Sequence, residues 1–186
     1  MVRGIDGTAL AGAMGWSLNG FLQSHPELRP LAAKHMNAGG TKALKDLSTM
    51  CIGDALLRYG SKRSSTWTKG GRSLSDIIRS EPEIQAVLDR QRIGTHRPAG
   101  PVRVATGVND DLVTHGQARR LAADWCREGG DVTYKPVKLP SVGDRSLLNH
   151  FLPLLSDQGE AVDWLTARLS GEEPADSGCA ELPTQP

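Results

Sequence analysis

The sequence has few aromatic residues, which make up 4% of its 186 positions. It also lacks a basic cluster: 22 Lys and Arg are scattered among 21 Asp and Glu, for a formal net charge of +1. Without a concentrated positive patch or base-stacking rings, the composition gives no support for a nucleic-acid or membrane-surface partner. No apolar run approaches the roughly 18 residues that a membrane-spanning helix needs, so no transmembrane segment is expected. The three cysteines, Cys51, Cys126 and Cys179, show no C-x-x-C spacing, which argues against a zinc site. Their odd number leaves one thiol without an internal partner. His25, His35, His96 and His115 form no pair with metal-ligand spacing to a carboxylate. No metal and no cofactor are therefore expected. The N-terminal stretch "MVRGIDGTALAGAMGWSLNGF" does not read as a signal peptide, because Asp6 interrupts its weakly apolar run; a buried strand or helix start fits better.

What is present suits a globular chain: 38% hydrophobic and 23% charged residues, over a length that holds one domain with a core or slightly more. Residues 1–15 are small and apolar and suit the remnant of a core sheet followed by a turn. Residues 16–97 carry a helical pattern broken by turns. In "HPELRPLAAKHMNAGGTKALKDLSTMCIGDALLRYG" apolar residues recur at three- and four-residue steps. "SLSDIIRSEPEIQAVLDRQRIG" reads as two short helices, with Pro82 near the start of the second.

The pattern changes at Pro98. Residues 98–171 read strand, helix, strand, loop, helix, the rhythm of parallel βαβ construction in the α/β class. The first strand is the β-branched run Val102 to Thr106, ended by Gly107. Thr114 and Gln117 have the spacing of a capping box. Ala118, Leu121, Ala122, Trp125 and Cys126 form one apolar stripe on the helix that follows, which predicts a buried face and an inert Cys126. "DVTYKPV" is the second strand and "KLPSVGDRSLLNH" a polar loop. A final helix is predicted from about Asp157, burying Ala161, Trp164, Leu165 and Leu169. Residues 172–186 are expected to be a poorly ordered tail.

In an open parallel sheet, functional groups collect at the carboxyl ends of the strands. Asp110 follows the first strand and His150 follows the second. An acid and then a histidine after successive strands is the order of the last two members of a Ser…Asp…His triad on a hydrolase sheet. Taken singly, each residue has a plainer reading. Asp110 and Asp111 would be turn residues near a helix N-terminus, and His150 a solvated loop histidine.

The segments "PVRVATGVNDDLVTHGQARRLAADWCREGGDVTYKPV", "NHF" and "AVDWLTARLSG" resemble the secretory lipase family of the α/β-hydrolases. So do "LNGFLQSHPEL", the region of Cys51 and "RIGTHRPAGPV", and the resemblance runs from about residue 10 to 180. Its most specific pieces are G-x-x-D-x-x-V and L-A-x-D-W-C-x-x-G-x-x-V. It implies the last parallel strands and flanking helices of an α/β-hydrolase fold (residues 98–171), with a helical cap insertion (16–97). It also implies a triacylglycerol-lipase-like carboxylic ester hydrolase acting on an ester or lipid substrate, and export from the cell. By this likeness Asp110 matches the triad acid and His150 the triad base, with Asp111 pointing elsewhere and helping the turn.

The sequence departs from that family in one respect. No serine lies on a G-x-S-x-G elbow: Ser17 in "GWSLN" and Ser73 in "GRSLS" each have the first glycine and lack the second. The expectation is a chain that begins after its nucleophile, is inactive alone and needs the N-terminal half of the same fold as partner. Cys51 would then pair with a cysteine of that half, or stay a buried free thiol. Cys179 would mark a second bridge of unknown partner. A non-catalytic binding or interaction module with an exposed sheet edge is the alternative. A cysteine nucleophile is a weaker third reading, since Cys126 lies mid-helix and Cys51 has no elbow.

Overall fold

The computed structural model describes residues 2–172 and 178–186. The chain divides into two compact units, residues 1–91 and 92–186. The division precedes the Pro98 at which the sequence pattern changes, because residues 92–101 belong with the second unit. Arg92 lies 3.5 Å from Asp124, and Gly94 packs on Leu121 and Asp124.

The first unit is helical: α1 (Val2–Ile5), α2 (Gly12–Ser24), α3 (Arg29–His35), α4 (Ala38–Leu47), α5 (Ile52–Tyr59), α6 (Leu74–Ser80) and α7 (Pro82–Arg90). The sheet remnant expected over residues 1–15 is not found among the described residues. This segment is made of small residues that are mostly not β-branched, and it forms α1, a 3-10 turn at Ala9–Ala11 and the start of α2. Thr8 accepts a hydrogen bond from the amide of Leu10 and so caps the turn. Asn37 caps α4 by accepting from Gly40, and Ser73 caps α6 by accepting from Asp76. Met14, Met36, Leu47, Trp67 and Leu74 share one buried cluster with Ile5 and Ala55.

The second unit contains β1 (Val102–Gly107), α8 (His115–Arg127), β2 (Val132–Val137) and α9 (Leu147–Leu169). The strands pair in parallel, Val102 opposite Val132 through Gly107 opposite Val137, and α8 is the crossover between them. A buried cluster of Ala122, Val132, Tyr134 and Leu182 holds α8 on the sheet.

Four expectations need correction here. The capping box is not built: Thr114 makes no side-chain cap bond, and Asp110 satisfies the amides before α8 instead. The final helix begins at Leu147, capped by Ser146, well before Asp157. Pro153 sits inside that helix, so the "LPLL" stretch is helical despite its breaker. The helix turns Asn149, Pro153 and Asp157 inward, which leaves Leu165 and Leu169 51% and 80% exposed. Cys126 is not inert: it forms a disulfide with Cys179, whose Cα lies 5.6 Å away.

That bond helps hold residues 178–186, which the sequence assigns to a poorly ordered tail. Leu182 is buried, and the Arg119 guanidinium donates to the carbonyls of Leu182, Pro183 and Gln185. The remainder of the expected tail, residues 173–177, lies outside the described residues.

Candidate active site

Beyond the carboxyl end of β1 the chain turns sharply at Val108–Asn109, and Asp110 follows. Its side chain is 6% exposed. One carboxylate oxygen, Oδ1, accepts from the backbone amides of Leu112 (3.1 Å) and Val113 (3.0 Å). The backbone carbonyl of Asp110 accepts from the amide of His115, the first residue of α8. The turn thus fixes the carboxylate from one side and leaves Oδ2 to point elsewhere.

It points at His150. The imidazole Nδ1 is 2.8 Å from Asp110 Oδ2, across forty residues of sequence. The polar loop expected to carry His150 ends sooner, and the histidine stands in the first turn of α9, where the helix fixes its backbone. Phe151 packs edge-on against the ring at 5.3 Å between centroids. An ionised carboxylate can only accept, so Nδ1 carries the proton of this bond and Nε2 holds the free lone pair in the neutral ring. The hydrogen bond that His150 donates to Asp110 raises the His150 pKa above its ordinary value; burial of the ring opposes this, and the charge of Asp110 adds to the rise.

The neighbouring carboxylate has different work. Asp111 Oδ2 accepts from the backbone amide of Arg145 at 2.6 Å, and its Oδ1 lies 3.4 Å from Asn149 Nδ2. Arg145 adopts a left-handed backbone with φ of 49°, which a residue other than glycine holds only at some energetic cost. Asn149 completes the loop: its Nδ2 donates to the Gly143 carbonyl at 2.8 Å and its Oδ1 accepts from the Val142 amide at 2.7 Å. Asn149 precedes His150, so the residues that pin the loop also set where the imidazole begins. Asn109 adds a bond from Nδ2 to the Leu139 carbonyl at 2.7 Å. Sequence reasoning missed Asn149 and Asn109. Their one signal was an amide side chain directly beside each candidate residue, too common a pattern to stand out.

Gly107 and Pro153 set the distance between strand and helix. A Cβ on Gly107 would stand 2.5 Å from Pro153 Cγ and 3.3 Å from the Asn149 carbonyl oxygen. Proline at 153 leaves that carbonyl without its usual intrahelical donor. The absent glycine side chain lets the end of β1 close onto this spot and brings Asp110 within reach of the helix. Further along, Arg103 on β1 meets both carboxylate oxygens of Asp157 on α9 with 9% and 7% side-chain exposure, and Glu160 is 3.6 Å away.

Around this strand-end acid, buried in amide bonds and aimed at a half-exposed histidine, the chain matches the family model of the secretory lipases over residues 1–177. The chain belongs to the secretory lipase family. Among relatives of that family, the secreted triacylglycerol lipase LIP2 of Malassezia globosa is 24% identical over 185 residues, 98% of this chain and 39% of the relative. A Mycobacterium tuberculosis protein named probable inactive lipase MT1628 is 27% identical over 177 residues, 94% of this chain and 36% of the relative. The X-ray structure of Candida antarctica lipase A in its closed state superposes with a TM-score of 0.78 at 15% identity, covering 95% of this chain and 40% of that one. The fold is therefore that of a part of an α/β-hydrolase, its parallel strands joined by α8 and followed by α9. The chain spans about two fifths of the length of these secretory lipase relatives.

The helical unit carries one further feature of chemical interest. A cavity of about 410 Å³ opens between α2, α3, α6 and α7, lined almost wholly by apolar side chains such as Phe21, Leu31, Ile77, Ile84 and Leu88. Such a volume and lining are typical of a small-molecule pocket. Cys51 is a free, exposed thiol near an acid, Asp54, at 3.4 Å. It is not the buried thiol of one expectation, and it forms no disulfide among the described residues.

Proposed function

We propose that this chain supplies the acid and base of a lipase-type Ser–His–Asp triad, for the hydrolysis of lipid esters with apolar acyl chains. The observation that carries the reading is the 2.8 Å contact between Asp110 Oδ2 and His150 Nδ1 at the carboxyl end of parallel strands. Asp110 orients the imidazole and stabilises its protonated form. His150 Nε2 takes the proton of an attacking serine and returns it to the leaving alcohol. The raised pKa of His150 makes it a stronger base for the first of these steps.

The serine and its oxyanion hole would come from a segment outside these 186 residues, since the sequence has no G-x-S-x-G. The partner is then the N-terminal half of the same fold. The exposed leucines of α9, Leu148, Leu154, Leu155 and Leu169 among them, support an apolar surface that such a half would cover. The helical unit, residues 1–91, would act as the cap, with the apolar cavity receiving the acyl chain. The names of the Malassezia relatives support an extracellular location.

On this reading the 186-residue chain alone hydrolyses p-nitrophenyl esters no faster than its His150→Ala variant. Losing a triad serine costs on the order of 10⁶ in kcat in a studied protease. Combined with a serine-bearing N-terminal half from a secretory lipase, the wild-type chain should restore hydrolysis and the His150→Ala chain should not. Restored hydrolysis that does not depend on His150 would contradict the assignment. The second reading, a non-catalytic interaction module, draws on the same exposed α9 leucines and on the relative named a probable inactive lipase. It predicts binding to the added half without hydrolysis.

A further inference from the structure

The cavity of the helical unit is bounded on one side by α3 and on another by the α6–α7 pair. Among the described residues, the hydrogen bonds that join these two walls all end on one side chain. Glu81, the residue between α6 and α7, receives Lys34 Nζ at 2.8 Å and faces His35 Nε2 at 2.5 Å, both on its Oε1. Lys34 and His35 are the last two residues of α3. The Glu81 side chain is 12% exposed and His35 14%, so the contact is sheltered although Lys34 reaches water. His35 itself lines the cavity. Behind this polar contact the two walls face each other across apolar space.

Glu81 has no other structural task that would explain its burial. It stands at the N-cap position of α7 but makes no side-chain cap bond there. Its backbone amide and carbonyl already serve α6 and α7, bonding Ile77 and Ile84. A buried carboxylate is retained only where it is paired, and both of its partners belong to the opposite wall.

We propose that Glu81, with Lys34 and His35, is a latch that holds the two walls together and governs the entry and exit of an apolar ligand. Opening separates α3 from the α6–α7 pair and breaks both Glu81 contacts, while the apolar lining remains intact. The identity of the natural ligand as an acyl chain rests on the proposed lipase function; the latch itself does not.

A neutral apolar fluorophore, N-phenyl-1-naphthylamine, tests this without any hydrolysis. Its association and dissociation are followed by stopped flow on the whole chain, wild type against Glu81→Gln, Glu81→Ala and Lys34→Ala. On this proposal a ligand passes in either direction when the latch opens, so loss of the latch raises both rates together and leaves Kd nearly unchanged. The expected increase for Glu81→Ala is about tenfold in each rate, the scale of one charge-assisted hydrogen bond. Lys34→Ala, which removes a mostly exposed partner and leaves the helices intact, should give a smaller increase of the same kind. A purely structural role for Glu81 would instead weaken binding while leaving association unchanged. That outcome, unaltered rates in all three variants, or no probe binding at all, would overturn the proposal. Failure of ester hydrolysis with normal latch kinetics would count against the lipase reading alone.

Discussion

The tether between β1 and α9 gives a large single-residue effect in the second unit. Arg103 and Asp157 face each other with 9% and 7% side-chain exposure, and the guanidinium engages both carboxylate oxygens, Oδ1 at 2.7 Å. Asp157→Ala leaves a buried guanidinium without its main partner. Removing one member of a buried ion pair costs about 3–5 kcal/mol. Glu160, 3.6 Å away but 61% exposed, can take over part of the role, which favours the lower end, about 3 kcal/mol. Lys135 on β2 is already paired with Glu160 at 2.7 Å and would compete for it. In hydrogen exchange a loss of about 3 kcal/mol corresponds to roughly a hundredfold faster exchange of the amides whose protection depends on the tether. The assay is hydrogen exchange with mass spectrometry on peptides spanning β1 and α9. The double variant Arg103→Met/Asp157→Leu removes both charges together and should stay within about 1 kcal/mol of wild type. Exchange accelerated less than about threefold by Asp157→Ala, or a double variant worse than the single one, would refute the reasoning.

Two further outcomes follow from the same geometry. Gly107→Ala puts a Cβ 2.5 Å from Pro153 Cγ, so β1 and α9 must separate; urea unfolding of the second unit should show a loss of about 1–3 kcal/mol, and an unchanged midpoint would contradict the close-approach role. Cys126 and Cys179 are 53 residues apart, and a loop of that size corresponds to about 4 kcal/mol of chain entropy, so reduction should release residues 178–186 and strongly accelerate exchange around Leu182 and Val132. Protection unaffected by reductant would show that Arg119 and Leu182 hold the segment without the bond.

The βαβ unit was legible in the sequence because its signals are local. A β-branched run ended by Gly107 and a stripe at three- and four-residue steps each specify one element, and both elements form where expected. The order of Asp110 and His150 was legible for the same reason. Features that depend on distant partners were not. The start of α9 at Leu147 was not legible, because the helix holds Pro153 in its interior, packed against Gly107 far away in sequence. The face of α9 is set by what lies beneath it, Asn149, Pro153 and Asp157, and a proline, an amide and an acid do not look like a buried stripe. The Cys126–Cys179 pairing has no spacing signature, and the order of residues 178–186 follows from it and from Arg119.

The link between Asp110 and His150 is tested most directly by titrating the imidazole nitrogens of His150 by ¹⁵N NMR, in the wild-type chain and in Asp110→Asn. The folded pKa is raised, so the pair's contribution to stability is fully present below the unfolded value of about 6.5 and is lost as pH rises through the folded value. The wild-type imidazole should therefore titrate above its ordinary value, with the neutral ring protonated on Nδ1. In Asp110→Asn its pKa should fall, because burial then acts without the carboxylate. A His150 that titrates alike in both proteins, or whose neutral form carries its proton on Nε2, would contradict the account.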